Sequence, residues 1–173
     1  MVVPVGGMHC TDEHKALPKE MEAFIEGAGD AGFIFVSFGS MVKMSMVPES
    51  LLQLFFNAIK DMKTRFIWRW DSNPPANLPK NILTGKWFPQ QDLLAHPKIK
   101  GFISHGGLMS SQQAIFHAVP LVVLPVVYDQ PYNAFRAKHH GIGIHLELSE
   151  LTEENFREAV IRIVEDKSIK EKM

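Results

Sequence analysis

Strand-like and helix-like segments alternate along this chain, and the alternation predicts an α/β fold, a Rossmann-like parallel sheet with helices on both faces. Three observations carry that expectation. The strand candidates are short, continuous apolar runs, as in strands buried on both faces. The segments between them place apolar residues at helical spacing. Several strand ends run into glycine or small-residue turns, where such folds hold their ligands.

Residues 1–30 read as a linker-like segment leading into the first core strand, and residues 1–173 as a single domain. F-I-F-V-S-F at 33–38, between Gly32 and Gly39, is the first strand. Pro48 and Glu49 suit a first helical turn, with Leu51, Leu54, Phe55, Ala58 and Ile59 as the apolar face that follows. R-F-I-W-R-W at 65–70 is the next strand, and the prolines of D-S-N-P-P-A-N-L-P forbid regular structure after it. A short strand should end at Trp87. Further central strands fall at 101–104 and 121–127, with a helix over about 108–118 between them. A short helix follows Pro131, and I-G-I-H-L at 142–146 reads as a strand. In the last helix Thr152 is the N-cap and Glu153 and Glu154 face the positive dipole end. Phe156, Ala159, Val160, Ile163 and Val164 form its buried stripe.

The 173 residues suffice for one core that buries roughly 70% of the unfolded surface. A net charge of −1 offers no basic field for nucleic acid or anionic lipid, so any bound anion must be held by local geometry. Cys10 is the single cysteine, which excludes an internal disulfide and a cysteine metal cluster. No apolar run approaches the ~20 residues of a membrane span, and M-V-V-P-V-G-G at the start lacks the basic opening of a signal peptide.

Three motifs carry chemistry. In Ser104-His105-Gly106-Gly107, between a strand and a helix, the glycines let backbone approach a ligand closely, and the helix aims free N–H groups at the same space. Ser110 and Ser111 add donors in the first turn, and the His105 ring can donate to a phosphate oxygen. Trp87-Phe88-Pro89-Gln90 offers an indole face on which a base can stack, and Gln90 could reach a base edge or ribose. Taken alone, a tryptophan there is more often a core anchor. Tyr128-Asp129-Gln130, after the 121–127 strand, pairs an acid with an amide suited to vicinal sugar hydroxyls, although taken alone Asp129 is better read as the N-cap of the Pro131 helix.

Ser37-Phe38-Gly39-Ser40 ends the first strand in another small-residue turn, a second candidate set of phosphate donors. Met41, Met44 and Met46 beside it read as an apolar flap or core filler. Gly141-Ile142-Gly143 lacks the third glycine of a dinucleotide fingerprint, which disfavours a nicotinamide enzyme. No Asp-x-Asp occurs, so a metal-bridged diphosphate is disfavoured. His139-His140 show no ligand spacing. Together the motifs match the base, pyrophosphate and hexose of a nucleotide-sugar.

In this order, W-x-P-Q, D-L-L-x-H-P, F-I-S-H-G-G, P-L and P-x-x-x-D-Q resemble the signature of the UDP-glycosyltransferase family, in its animal UDP-glucuronosyl/glucosyltransferase branch. Val5-Gly6-Gly7-Met8-His9-Cys10, Leu17-Pro18, Phe38-Gly39-Ser40-Met41 and Trp68-Arg69 also sit where that branch has similar residues, so the likeness covers nearly the whole chain. It implies the C-terminal, donor-binding half of a GT-B glycosyltransferase. By that resemblance Trp87 stacks on uracil, Gln90 lies beside the nucleoside, and His105 contacts phosphate with Gly107, Ser110 and backbone near it. Asp129 and Gln130 hold sugar hydroxyls, while Ser37 and Gly39 belong to the other phosphate-proximal turn.

Two positions depart from the family's pattern. Gln113 stands where the family has a glutamate that grips the ribose, and Met109 where vertebrate members often have asparagine, which leaves its backbone to face phosphate. The resemblance further implies metal-independent, inverting transfer of glucose or glucuronic acid to a small lipophilic hydroxyl, a chemistry of detoxification. It puts acceptor binding and the catalytic histidine–aspartate base in an N-terminal domain that this chain lacks. It implies a parent anchored in the endoplasmic reticulum membrane with its catalytic part lumenal, possible homodimerisation, and no nucleic-acid partner. Two other functions fit the residues less well. A non-catalytic nucleotide-sugar-binding paralogue draws support from Gln113, whereas an epimerase would need more acids than Asp129 near the sugar.

Overall fold

A computed structural model describes residues 5–173; residues 1–4, the start of the apolar M-V-V-P run, lie outside the described residues. Six parallel strands form one sheet in the order β3-β2-β1-β4-β5-β6: β1 Phe33–Ser37, β2 Arg65–Arg69, β3 Ile82–Gly85, β4 Ile99–Ser104, β5 Leu121–Val123 and β6 Gly143–His145. The side-chain period of two divides the strands between two cores. Ile34, Val36, Phe66, Trp68, Ile103 and Val122 face one side, and Phe33, Phe35, Ile67, Phe102, Leu121 and Val123 the other. Helices α2 (Glu49–Ile59) and α6 (Glu153–Glu165) cover the first face. Helices α1 (Lys19–Glu26), α3 (Gln90–Ala95), α4 (Leu108–Phe116) and α5 (Gln130–His139) cover the second, and α7 (Lys167–Glu171) closes the chain. Both faces are therefore buried, as the continuous apolar runs require.

Several elements differ from the sequence expectation for identifiable reasons. The segment read as a linker contains α1, whose Met21 and Ile25, four apart, reach the second core. Helix α2 buries Leu52, Phe55, Phe56, Ala58 and Ile59, while Leu51 and Leu54 are half-buried and Pro48 stands at the N-cap. Spacing fixed the period of that stripe; its phase is set by the sheet beneath it and by α6 beside it.

The strand expected over 121–127 stops at Val123, because Pro125 has no N–H for the ladder. The amides of Val126 and Val127 are taken instead by the Gln130 side chain, at 2.9 and 3.0 Å. Strand β3 ends at Gly85, two residues before Trp87. Thr152 caps α6 as expected, in a reciprocal box with Asn155: each side chain accepts from the other's backbone N–H, at 3.0 and 3.1 Å. No described helix is long and apolar enough to cross a membrane.

Candidate functional site

The carboxyl ends of the strands bring the chemistry-bearing residues to one rim, where open α/β sheets bind ligands. Ser37 ends β1, His105 follows β4, Trp87 follows β3 and Asp129 follows β5. A cleft of about 700 Å³ at this rim is lined by Ser37, Gly39, Trp87, Gln90 and Gln113, together with Arg69 and the 11–16 segment. Five of the sequence candidates thus share one space.

Trp87 is 74% exposed, which removes the core-anchor reading. Its neighbour Phe88 takes the buried place, edge-on to Phe35 at 6.2 Å and packed against Gly85. Trp87, the preceding residue, points outward, and its indole lines the cleft. Gln90, at the start of α3, donates from Nε2 to Ser110 Oγ at 3.1 Å and to Gln113 Oε1 at 2.5 Å. This amide network ties α3 to α4 under the cleft and occupies one lone pair of Gln113.

The turn into α4 is built around His105. The ring is 91% buried and lies between Gly39 and Gly107, where an added Cβ would sit 2.7 Å from ring atoms in either case. A side chain at either glycine would therefore displace the imidazole. Gly106 has φ +85°, the left-handed region that glycine enters without strain. Its N–H donates to Ser104 Oγ at 3.2 Å. Burial pushes the His105 pKa below its ordinary value, and the Ser37 backbone and the Asp129 carboxylate only partly offset this. The ring is then mainly neutral at pH 7, with one N–H to donate. The first intrahelical bond of α4 runs from Ser111 N to Gly107 O, so the amides of Leu108, Met109 and Ser110 have no partner within the helix. The Met109 side chain is exposed, and its carbonyl meets His9 Nε2 at 2.9 Å.

Asp129 occupies the N-cap position of α5, yet its side chain makes no capping bond. Its Oδ2 instead accepts from Asn133 Nδ2 at 2.8 Å, and the same nitrogen donates to Gly106 O at 2.8 Å. Asn133 thereby joins the acid to the glycine turn. Gln130 differs from expectation: it is buried, and its Oε1 accepts from the two loop amides after β5, so only its amide nitrogen remains for a ligand hydroxyl. The exposed Tyr128 between these features has φ +60°, a strained conformation for a side-chain-bearing residue.

Sequence reading missed three contributors. Asn133 stands one helical turn after Asp129, a spacing that could have flagged it. Arg69 ends β2 at the cleft. The 9–16 segment forms a wall because Thr11 N donates to Gln91 Oε1 at 3.1 Å, Gln91 Nε2 to His9 O at 3.2 Å, and Lys15 N to Asp92 Oδ1 at 2.9 Å. Among the described residues, no cluster of three or more His, Cys, Asp or Glu could hold a metal ion.

Comparison with known proteins bears on the family and the fold. The family described as UDP-glucoronosyl and UDP-glucosyl transferase matches residues 1–173. A UDP-glucuronosyltransferase of Pleuronectes platessa is 38% identical over 99% of this chain and 36% of its own length. Human UDP-glucuronosyltransferase 2B7 is 38% identical over 96% of the chain and 31% of its own length, and UDP-glucosyltransferase 2 of Dactylopius coccus 36% identical over 99% and 33%. The chain thus spans about a third of the length of these relatives. Among solved structures, Os79 from O. sativa in complex with UDP matches with a TM-score of 0.78 at 21% identity, over 92% of this chain and 38% of its own. The glycotransferase of kitacinnamycin matches at 0.76 and 23%, over 99% and 42%. These likenesses give the fold, a Rossmann-like half of a GT-B glycosyltransferase. From the whole-length match and the identity to its relatives, the chain belongs to the UDP-glucuronosyl and UDP-glucosyl transferases, a family of glycosyltransferase enzymes.

Proposed function

We propose that this chain is the donor-binding part of a UDP-glycosyltransferase that moves a hexose from UDP to a small lipophilic hydroxyl without a metal. The observation that carries the reading is the bare Trp87 face, the Ser37–Gly39 turn and the Gln90–Gln113 pair lining one cleft, with the His105 ring packed behind Gly39. Uracil stacks on Trp87, for about 1–3 kcal/mol. Ribose meets Gln113 and Gln90. The diphosphate lies over the first turn of α4, where unpaired amides, the His105 N–H and the dipole stand in for a cation. A hexose hydroxyl donates to Asp129, and the Gln130 amide nitrogen donates to another.

In the reaction, the acceptor oxygen attacks the anomeric carbon from the side opposite UDP. The bond from that carbon to the diphosphate oxygen breaks, UDP leaves with the electron pair, and the acceptor proton passes to a base in a domain outside this chain. The sugar we favour is glucose, since Asp129 and Gln130 bring no cation to meet a glucuronate carboxylate. We place the parent in the endoplasmic reticulum membrane with this part lumenal, on family likeness alone. A thermal-shift panel of UDP, UDP-glucose, UDP-glucuronate, UDP-N-acetylglucosamine and NAD tests the reading. Stabilisation by the uridine nucleotides with UDP-glucose foremost supports it, and stabilisation by NAD alone refutes it.

Gln113 favours a second reading, a nucleotide-sugar-binding paralogue that does not turn over. Glycosyl transfer to a simple phenol by the full-length parent would exclude it.

A further inference from the structure

The same rim carries a second cavity that donor binding leaves unused. It measures about 320 Å³ and opens between the loop after β1, the start of α2, the loop after β5 and the segment beyond β6. Phe38, Met44, Leu51, Phe55, Val126 and Leu148 are among its walls, and Lys43 brings their single charge. Met41 and Met46 stand at its mouth, 68 and 78% exposed.

Its place in the fold says what it would hold. Strand order sets Trp87, Ser37, His105 and Asp129 along the rim from the β3 edge towards β5. A donor lying with uracil on Trp87 therefore directs its hexose towards Asp129. The cavity reaches the loop after β5, which leads into Asp129, through Val126. Val126, one of its walls, is three residues before Asp129 and is pinned by Gln130, while Phe38 adjoins Gly39 of the donor cleft. An apolar space next to the hexose and beyond the reach of the nucleotide suits the body of whatever receives the sugar. We propose that this cavity seats the apolar body of the acceptor, a phenol or alcohol of about two fused rings, so that the donor half shares in acceptor recognition. Its volume lies near the lower end of small-molecule pockets, which begin at about 300 Å³. Methionine side chains are unbranched and adapt to different shapes, so the walls accept several ring systems rather than one. This inference rests on the donor reading above.

The test is titration of the 173-residue chain with 1-naphthol, followed by its fluorescence, with and without saturating UDP. The comparison is a double variant, Met41→Asp with Met46→Asp, whose exposed positions lie outside the donor cleft. One naphthol binds per chain whether or not UDP is present. The variant binds naphthol at least about ten-fold more weakly, since charge now flanks an apolar mouth, and binds UDP as before. Equal naphthol affinity in both proteins, displacement of naphthol by UDP, or no binding at all would overturn the proposal. So would sedimentation showing a dimer that the double variant dissolves, because a second copy would then own this surface. Failure of the unaltered chain to bind UDP would overturn the donor reading along with the cavity; a negative naphthol result alone leaves donor binding standing.

Discussion

Replacing Gln113 by glutamate should tighten the binding of UDP. Gln113 is half-buried at the cleft, and its Oε1 already accepts from Gln90 Nε2 at 2.5 Å. A carboxylate has two acceptor oxygens, one to keep Gln90 and one to receive the ribose diol. A neutral hydrogen bond nets about 1 kcal/mol and one to a charged group about 1.5–3, so the exchange gains roughly 0.5–2 kcal/mol. Repulsion from the diphosphate opposes it. At ~8 Å through water that is about 0.5 kcal/mol per pair of unit charges, before salt screening. Two to three such pairs, each screened to less than half in physiological salt, leave about 0.5 kcal/mol of repulsion, so the net gain centres on ~0.7 kcal/mol, roughly three-fold in Kd. Calorimetry on Gln113→Glu and the unaltered chain measures this directly. Uridine, lacking phosphates, should gain more than UDP, and 2′-deoxy-UDP should gain less. An unchanged Kd for uridine, or an equal gain for the 2′-deoxy ligand, would refute the placement of Gln113 at the ribose.

Trp87→Ala should weaken UDP binding by about 1–3 kcal/mol, as lost stacking requires, while urea unfolding changes little because the indole is 74% exposed. Asp129 and Gln130 should separate. Asp129→Asn lowers affinity for UDP-glucose more than for UDP, whereas Gln130→Ala destabilises the fold by about 1–3 kcal/mol, because two loop amides lose their acceptor. His105 gives a pH signature. Its folded pKa lies below the ordinary 6.5, so the unfolded chain binds more protons there, and stability falls as pH drops below 6.5 towards the folded value. His117, also depressed mainly by burial, adds to the same slope. The diphosphate of UDP-glucose favours the imidazolium, so binding takes up protons in that window and strengthens as pH falls from 7 to about 6. Calorimetry in two buffers of different ionisation enthalpy reads that uptake, and His105→Gln should abolish it.

The motifs at the strand ends were legible in the sequence because each depends on local chemistry. Glycine at 39, 106 and 107, the indole after β3 and the acid after β5 all stand where chain order alone predicts a rim. What sequence reading lost were matters of direction and partnership. That the Trp87 indole faces solvent rather than the core is visible only once Phe88 is seen in the buried place. The oxygen of Gln130 is taken by two amides left free where Pro125 ends β5 early, a partnership the local sequence does not show. Asn133 and the 9–16 wall act across 27 and about 80 residues, through contacts that no local pattern encodes.

Donor binding here requires that a UDP-sugar lie along the rim from Trp87 past His105 to Asp129. A crystal structure of the chain soaked with UDP-glucose tests it most directly. Uracil should lie flat against the Trp87 indole, diphosphate oxygens on the amides at the start of α4, and a hexose hydroxyl on the Asp129 carboxylate. Nucleotide density elsewhere, with Trp87 bare and Asp129 still bonded only to Asn133, would contradict it.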